Sequence, residues 1–392
     1  MLQIKNIDYV EFYVGNASQA AHFYRMAFGF TPVAFSALET GERDRTSFVL
    51  QQNNITLIFT SALTPDSPVA EHVRVHGDSI KDIAFNVDDA RYIFQETVGR
   101  GAVPVLEPTV FEQEEGRFIK ATVAAYGDTV HTFIQRQGVD KRSFPGYQSF
   151  ENPPQVIPTG LTAFDHIAVC VAPHSLKDWF DFYIDVFDFH HSHQEDIVTE
   201  NTAMNSGVVE SSNGRVKFPI MEPAPGKRSS QIEEYLEFHH GPGAQHIALL
   251  SGDIVRTIRA LRANGIEFLY TPDTYYETLE ERVGKLDDVE KKSLRELGIL
   301  VDKDQWGTMF QVFSKPLHSR PTAFMEIIQR KGARGFGGGN IKALFEAIER
   351  EQALRGNLTL SNVLRESPFQ LTQCLVRYEA RRQRRDVRLS VE

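Results

Sequence analysis

The chain has 392 residues, of which 41% are hydrophobic and 24% charged, and its formal net charge is −10. This length allows two domains, and the negative charge argues against nucleic-acid binding. No long uninterrupted apolar run occurs, so no membrane span is expected. Two cysteines are too few for a disulfide framework, which makes the cytoplasm the expected location. The basic run RRQRR at 381–385 is typical of a solvated or disordered end.

The predicted elements occur twice along the chain. Alternating apolar residues predict half-buried strands, and the strands of the two copies match in order. The matching strands are 7–14 with 164–171, 81–87 with 244–250, and 131–137 with 325–331. In each copy a helical segment follows the first strand, and a glycine turn leads into a further strand, at 99–108 and at 263–272. A proline-rich segment at 151–160 predicts a linker between domains 1–150 and 161–358, followed by a tail at 359–392.

The second copy carries three potential metal ligands at equivalent places on its strands. These are His166, His246 and Glu326, spaced 80 residues apart along the sequence. The first copy holds Tyr9, Asp82 and Thr132 at the same places, which indicates a duplication in which only the second half kept its chemistry. The first half is then expected to contribute packing and contacts within a homo-oligomer, either a dimer or a tetramer.

Two imidazoles and one carboxylate on one face of a metal leave three coordination positions open. This donor set suits iron(II), which must accept both a substrate and dioxygen in oxygenases. Glu326 lies in the apolar run AFMEIIQR, where a lone buried carboxylate would be costly without a bound cation. Among the other histidines, His239 and His240 are predicted to be exposed. The cluster His190, His191 and His193 is predicted to lie in a surface loop.

Several long motifs of the second half resemble the 4-hydroxyphenylpyruvate dioxygenase family of the vicinal oxygen chelate superfamily. They include VKFPIMEPAPGKRSSQIEEYLEF (216–238), GPGAQHIAL (241–249), FQVFSKPLHSRPTAFMEIIQR (310–330) and GFGGGNIKALFEAIEREQ (335–352). The resemblance extends over roughly residues 5–358. It implies an α+β fold of two domains, each made of paired βαβββ-type modules that form an open barrel. It also implies iron(II) in the C-terminal barrel, bound by the three ligands above, with 4-hydroxyphenylpyruvate and O2 as substrates.

The same resemblance implies roles for further residues around the metal. Catalytic roles fall to Ser206, Gln245 and Gln311. Substrate-binding roles fall to Met221, Gln231, Phe313, Phe336, Asn340 and Ile341. A helix at roughly 340–353 is expected to close the pocket, and the glycines before it to let it move as a lid.

The family resemblance leaves two reactions open on one substrate. Dioxygenases of this family attack the ring and form homogentisate, whereas hydroxymandelate synthases hydroxylate the benzylic carbon and form 4-hydroxymandelate. Where the dioxygenases have the motifs FPINEP and GNF, this chain has FPIMEP and GNI, with Met221 and Ile341 at the differing positions. Aliphatic residues at both places resemble the synthases, so 4-hydroxymandelate is the expected product and homogentisate the alternative. A non-catalytic binding protein of the same fold is a third, remote alternative that the complete set of metal ligands disfavours.

Overall fold

The first half of the chain forms one curved mixed sheet, followed by a second such sheet in the second half. The computed structural model describes residues 2–113, 116–140 and 143–361. The predicted tail therefore lies outside the described residues from 362 onward. The strands of the first sheet are β1 (Ile4–Tyr13), β2 (Thr31–Ser36), β3 (Arg45–Gln52), β4 (Ile55–Ala62), β5 (Ser79–Val87), β6 (Pro104–Gln113), β7 (Gly116–Ala124), β8 (Val130–Gln137) and β9 (Gln148–Ser149).

The second sheet repeats the strand order of the first. Its strands are β10 (Leu161–Cys170), β11 (His190–Val198), β12 (Ala203–Glu210), β13 (Lys217–Ala224), β14 (Gly243–Ser251), β15 (Leu300–Lys303), β16 (Thr308–Phe313) and β17 (Phe324–Lys331). The order β2-β3-β4-β1-β5-β8-β7-β6 of the first sheet corresponds to β11-β12-β13-β10-β14-β17-β16-β15 of the second. The α+β fold of paired modules and the predicted duplication are thus confirmed.

The register of the central strands confirms which residues of the two halves are equivalent. Tyr9 pairs with Ala84 on β1 and β5, as His166 pairs with Ala248 on β10 and β14. Asp82 on β5 corresponds in the same way to His246 on β14, since their partners are Glu11 and Ala168. The ligands therefore lie on neighbouring strands because the duplicated pairing places them there.

One group of helices packs between the two sheets in a shared core, and two further helices pack against the inner face of the second sheet. The helices are α1 (Ala17–Phe28), α2 (Pro68–His76), α3 (Ala90–Gly99), α4 (Leu176–Phe187), α5 (Gln231–His239), α6 (Ile254–Ala263), α7 (Asp273–Glu277), α8 (Leu279–Val283), α9 (Asp288–Leu297) and α10 (Gly338–Arg355). Side chains of α1, α3, α4 and α6 join one hydrophobic core with both sheets. Successive strand residues point to opposite faces. Ile167 thus enters that shared core, while Ala168 packs in a separate inner cluster.

Local signals explain where key helices begin and end. Helix α5 starts with a capping box, in which the Ser230 hydroxyl accepts from the Glu233 amide and the Glu233 carboxylate accepts from the Ser230 amide. These bonds satisfy amides that the first helical turn leaves free. Helix α1 ends at Gly29, whose φ of 74° favours glycine. Helix α10 begins close to the predicted position, two residues earlier than expected.

Three local predictions were wrong. The segment 263–272 forms only an isolated bridge between Phe268 and Ser314, because the chain turns into the helices α7 to α9. The cluster His190, His191 and His193 lies on strand β11, where it pairs with β12, and not in a loop. His239 is 2% exposed because its ring stacks on Tyr235, with ring centroids 4.9 Å apart. Only His240 is exposed as predicted.

Within the part of the chain that the structure describes, no helix is long and apolar enough to cross a membrane.

The stability of the fold is expected to be sensitive to acid because of His131, which is buried where the two halves meet. Its Nδ1 lies 3.1 Å from the Ile83 carbonyl oxygen and its Nε2 lies 2.7 Å from the Tyr183 hydroxyl. A neutral ring satisfies both bonds, since Nδ1 donates and Nε2 accepts. Burial lowers the pKa of His131 to about 4, from the ordinary 6.5. The unfolded chain therefore binds a proton first as the pH falls, and stability is lost between about pH 7 and pH 4.

The depressed pKa of His131 corresponds to a loss of about 3 kcal/mol in the free energy of unfolding over this pH range. Denaturant titrations at pH 7 and pH 4 would measure the loss, and His131→Gln should reduce it by that amount. The exposed His22→Gln is the control. An unchanged pH dependence in His131→Gln would contradict the assignment.

Candidate metal centre

Three adjacent strands bring together the predicted ligands. His166 lies on β10, His246 on β14 and Glu326 on β17, with Glu326 registered against Ala248 beside it. All three side chains are buried, with 3%, 7% and 1% of their surface exposed. Their potential ligand atoms lie within 4.8 Å of one another. The predicted triad is therefore brought together on rigid strands inside the second barrel.

The Glu326 carboxylate lies between the two imidazoles. Its Oε2 is 3.1 Å from Nε2 of His166 and 3.6 Å from Nε2 of His246. The imidazole rings are nearly perpendicular, with centroids 5.8 Å apart. Three donor atoms thus converge from three directions on one small volume.

Hydrogen bonds at the outer nitrogens fix the orientation of both rings. His166 Nδ1 donates to Asp165 Oδ1 at 2.8 Å, and His246 Nδ1 donates to Gln245 Oε1 at 3.2 Å. A neutral ring that donates through Nδ1 keeps a lone pair on Nε2. Both Nε2 atoms therefore present lone pairs beside a carboxylate, an arrangement that only a cation or added protons can stabilise.

The two histidines of the triad differ in the direction of their pKa shifts. Burial lowers the pKa of His246 to about 3, so this ring is neutral at physiological pH. Burial also opposes charge on His166, but the carboxylates of Glu326 and Asp165 raise its pKa to about 9. Burial tends to raise the pKa of Glu326, yet His166 lowers it overall. The residues fit a divalent metal, because a bound ion could replace the proton on His166 and engage all three donors.

Asp165 and Arg330 support the triad and were missed at the sequence level. Both Asp165 oxygens accept from Arg330, at 2.7 and 2.8 Å, so that one carboxylate joins the guanidinium to His166. Arg330 also donates to the Gly335 carbonyl oxygen at 2.6 Å. Proximity to His166 in sequence was the available signal for Asp165, but the partner on β17 was visible only in three dimensions.

We expect Asp165→Asn to weaken metal binding roughly 10- to 100-fold, the usual effect of removing a carboxylate behind a histidine ligand. Metal titration of the stripped protein would measure this. Asp196→Asn, on strand β11, is the matched control. An unchanged affinity in Asp165→Asn would show that the carboxylate does not orient the ligand.

A chain of hydrogen bonds joins Glu326 to the start of helix α10. Gln311 Nε2 donates to Glu326 Oε1 at 2.9 Å, and Asn340 Nδ2 donates to Gln311 Oε1 at 2.7 Å. The Tyr275 hydroxyl then donates to Asn340 Oδ1 at 2.7 Å. Asn340 thus lies behind the cavity wall and bonds to Gln311 rather than lining the cavity. Tyr275 was not anticipated, because it belongs to α7 in an insertion without a counterpart in the first half.

A small cavity of about 60 Å³ opens beside the triad. Except for Asn340, all the predicted site residues line it. These are His166, Ser206, Met221, Gln231, Gln245, His246, Gln311, Phe313, Glu326, Phe336 and Ile341.

The aromatic walls lie next to the imidazoles. The Phe336 ring meets His166 edge to face, with ring centroids 5.3 Å apart. The Phe313 ring makes a similar contact with His246 at 6.4 Å. The cavity thus combines metal ligands with aromatic surfaces, which suits an aromatic ligand that carries an oxygen donor.

The polar side chains of the cavity differ in how far their bonding is satisfied. The Ser206 hydroxyl donates to the Glu195 carbonyl oxygen at 2.6 Å, an ordinary bond between β12 and β11. The Gln231 side chain is 5% exposed, and its Oε1 has no hydrogen-bond partner among the described residues. A buried acceptor of this kind is costly unless a ligand donates to it.

Two neighbouring side chains of β11 also line the cavity, and sequence reasoning did not include them. His193 Nε2 lies 3.4 Å from Glu195 Oε2. Their spacing of two places both on the same face of the strand. That spacing was the available signal, but the predicted loop concealed it.

The equivalent positions of the first half form a hydrogen-bonded group without histidine. Asp82 Oδ2 accepts from the Tyr9 hydroxyl at 3.0 Å and from the Thr132 hydroxyl at 2.6 Å. Burial raises the pKa of Asp82 to about 6. Two hydroxyl groups and one carboxyl are poor transition-metal ligands, so of the two equivalent groups only that of the second half is suited to hold such a metal.

The fold and the site define the chain as a member of the vicinal oxygen chelate class of metal-binding proteins. A model described as "Hydroxyphenylpyruvate dioxygenase, HPPD, N-terminal" matches residues 2–144. A model of the "Glyoxalase/Bleomycin resistance protein/Dioxygenase superfamily" matches residues 163–312.

Close relatives extend over nearly the whole chain. The chain is 42% identical over 372 residues to the 4-hydroxyphenylpyruvate dioxygenase of Yarrowia lipolytica, covering 90% of this chain and 94% of the relative. It is 44% identical over 367 residues to the enzyme of the same name from Danio rerio, covering 91% and 92%. A triple mutant of 4-hydroxymandelate synthase from Streptomyces coelicolor superimposes with a TM-score of 0.79 at 38% identity, covering 90% of this chain and all of the other. The chain belongs to the 4-hydroxyphenylpyruvate dioxygenase family of enzymes.

Proposed function

We propose that the protein catalyses the iron(II)-dependent oxidative decarboxylation of 4-hydroxyphenylpyruvate with O2, forming 4-hydroxymandelate and CO2. The observation that carries this proposal is the buried triad of His166, His246 and Glu326 beside an aromatic-walled cavity. The relatives named above act on this 2-oxo acid by name. No other donor set of this kind borders that cavity among the described residues.

The triad would hold iron(II) on one face and leave the other face to substrate and O2. When bound, iron supplies the redox chemistry that activates O2 next to a chelated 2-oxo acid. Glu326 is kept ionised by the imidazoles around it and by the Gln311 amide that donates to its Oε1. The side chain of Gln245 fixes His246 through its oxygen, which leaves its amide nitrogen to face substrate.

The cavity walls would orient the aromatic end of the substrate. Phe336 and Phe313 offer ring faces and edges against the phenol ring. The unpartnered Gln231 Oε1 is positioned as an acceptor for the phenolic hydroxyl. Ser206 faces the same cavity as a further polar contact. Helix α10 contributes Ile341 and Leu344 to the wall and would close over the substrate, excluding water.

Product choice would follow from the apolar wall that faces the ring. Met221 on β13 belongs to a buried cluster against which Ile341 of α10 packs. A side chain without hydrogen-bonding groups at position 221 cannot hold the ring through a polar contact. An aliphatic residue at position 341 leaves more room than phenylalanine would. The ring can then turn so that the benzylic carbon faces the metal, which favours 4-hydroxymandelate.

The second candidate function is the dioxygenase reaction that yields homogentisate. The names of the curated relatives, at 42% to 44% identity, favour it. The structural neighbour named 4-hydroxymandelate synthase, at 38% identity, favours the first. Both reactions use the same triad and the same substrate, so they differ only in how the ring is held.

The reaction class is tested by stoichiometry. Protein stripped of metal and reloaded with iron(II) under argon should consume one O2 and release one CO2 for each 4-hydroxyphenylpyruvate. Zinc-loaded protein and the substrate analogue without a keto group, 4-hydroxyphenylpropionate, are the controls. Decarboxylation that proceeds equally well without iron would overturn the proposal.

We further propose that the protein forms a homo-oligomer in the cytoplasm. Size-exclusion chromatography with light scattering would test the oligomeric state.

A further inference from the structure

A second set of two histidines and one carboxylate lies in the first half of the chain, next to helix α5 of the second half. His72 and His76 lie on successive turns of helix α2, and Asp128 lies in the turn between β7 and β8. The histidines are 3% and 6% exposed, while 55% of the Asp128 side chain is exposed. No step of the proposed reaction uses these residues.

The geometry of this group resembles that of the catalytic triad. Asp128 Oδ2 lies 3.1 Å from Nε2 of His76 and 3.5 Å from Nδ1 of His72. All three potential ligand atoms lie within 4.8 Å of one another. Ligands 2.0 to 2.1 Å from a tetrahedral zinc ion lie about 3.4 Å apart, so both separations match such an ion.

Hydrogen bonds at the outer nitrogens leave both inner nitrogens as acceptors. His76 Nδ1 lies 2.6 Å from the His239 carbonyl oxygen and must donate to it. The Ser79 hydroxyl donates to the Gly77 carbonyl oxygen, so its oxygen accepts from His72 Nε2 at 2.9 Å. His72 Nδ1 has no hydrogen-bond partner among the described residues. If both rings are neutral, two lone pairs and a carboxylate face one another with nothing positive between them.

We propose that His72, His76 and Asp128 bind a divalent cation of the zinc class, with water as a fourth ligand. Imidazole nitrogen and carboxylate oxygen are zinc donors, and both imidazoles carry the outer hydrogen bonds that usually orient metal-bound histidines. The exposed side of Asp128 provides access for the ion and for water. The nearby Lys81 ammonium bonds to the Asp128 carbonyl oxygen, which leaves the carboxylate to the ion.

The bound ion would have a structural role at the junction of the two halves. His76 joins helix α2 to the second half through the His239 carbonyl oxygen, and the two rings stack with centroids 4.5 Å apart. Arg320 of the second half adds a bond from its guanidinium to the Val75 carbonyl oxygen at 2.6 Å. An ion that fixes His72, His76 and Asp128 would therefore hold α2 against the second half and raise thermal stability.

The number of zinc ions bound at this second site can be measured once two ligands of the first triad have been replaced. The variant His246→Ala/Glu326→Ala, stripped by chelator, is titrated with Zn²⁺ in equilibrium dialysis and with Co²⁺ in the visible spectrum. We expect one zinc per chain, the absorption bands of tetrahedral cobalt and a rise in melting temperature with zinc. Adding Asp128→Asn or His76→Gln should weaken zinc binding at least tenfold and abolish the rise. Adding His22→Gln, at an exposed histidine of α1, should change neither.

Asp128→Asn is expected to fold because its side chain is largely exposed, and circular dichroism checks this. Absence of stoichiometric zinc in the ligand-depleted variant would overturn the proposal. Zinc binding that survives Asp128→Asn and His76→Gln unchanged would also overturn it. The readout is metal content, so the result does not depend on the proposed reaction.

Discussion

Replacing His166, His246 or Glu326 with alanine is expected to lower substrate-dependent oxygen consumption more than about 1000-fold, since a redox metal supplies several kcal/mol to such reactions. The three atoms that converge at 3.1 and 3.6 Å are the only protein donors proposed for the ion. Loss of one side chain removes a third of the protein ligands and leaves the other two to hold the ion alone. Oxygen uptake with iron(II) and 4-hydroxyphenylpyruvate, together with bound iron per chain, measures the effect.

His193→Ala is the matched control for the triad variants. His193 lines the same cavity but lies outside the triad, so iron should remain bound. Near-normal oxygen uptake in any one triad variant would exclude that residue as a necessary ligand. Equal loss of iron in His193→Ala would show that the cavity, and not the triad, determines metal binding.

The ratio of the two products is expected to change when Met221→Asn and Ile341→Phe are combined. Both reactions share their early steps, so the product ratio depends only on the difference between two barriers. A difference of about 1.4 kcal/mol changes that ratio tenfold. Filling or emptying the volume of an aromatic ring in a packed wall can supply this much. We expect at least a tenfold shift from 4-hydroxymandelate toward homogentisate or ring-attacked by-products, measured by chromatography, with iron content unchanged.

Ile341→Leu, which keeps an aliphatic side chain of equal size, is the control for this pair. The two positions contact the same buried cluster, so their effects should not be additive. If the double variant still forms only 4-hydroxymandelate, the orientation of the ring is set elsewhere in the cavity. Ser206 and Phe313 are then the next positions to change.

The sequence predicted the triad because duplication and strand periodicity both constrain it. His166, His246 and Glu326 are equivalent to Tyr9, Asp82 and Thr132 through one repeated strand order, and a strand fixes which face each residue occupies. The same argument could not predict the contact of Tyr275 with the site, since α7 lies in an insertion that the first half lacks. It could not reach the pairing of Asp165 with Arg330 either, because the pairing of strands β10, β14 and β17 brings them together across 165 residues of sequence.

Two of the errors concerned histidines whose surroundings depend on contacts between distant elements. His239 ends a helix before a glycine, which is typical of an exposed position. It is buried because Tyr235 and His76 stack on it from its own helix and from the first half. His193 was predicted to lie in a surface loop because its histidine cluster follows directly after a helix. The segment is nevertheless a strand, since edge strands with one solvated face tolerate polar side chains.

The most direct test of the central proposal is the identity of the aromatic product made by the unaltered, iron-loaded protein. 4-Hydroxymandelate and homogentisate are isomers, so mass alone does not separate them, and retention time against both standards must be compared. Incubation with 4-hydroxyphenylpyruvate and O2 is expected to yield 4-hydroxymandelate as the main product, with release of CO2. Homogentisate as the main product would contradict the proposed benzylic hydroxylation and the control assigned to Met221 and Ile341.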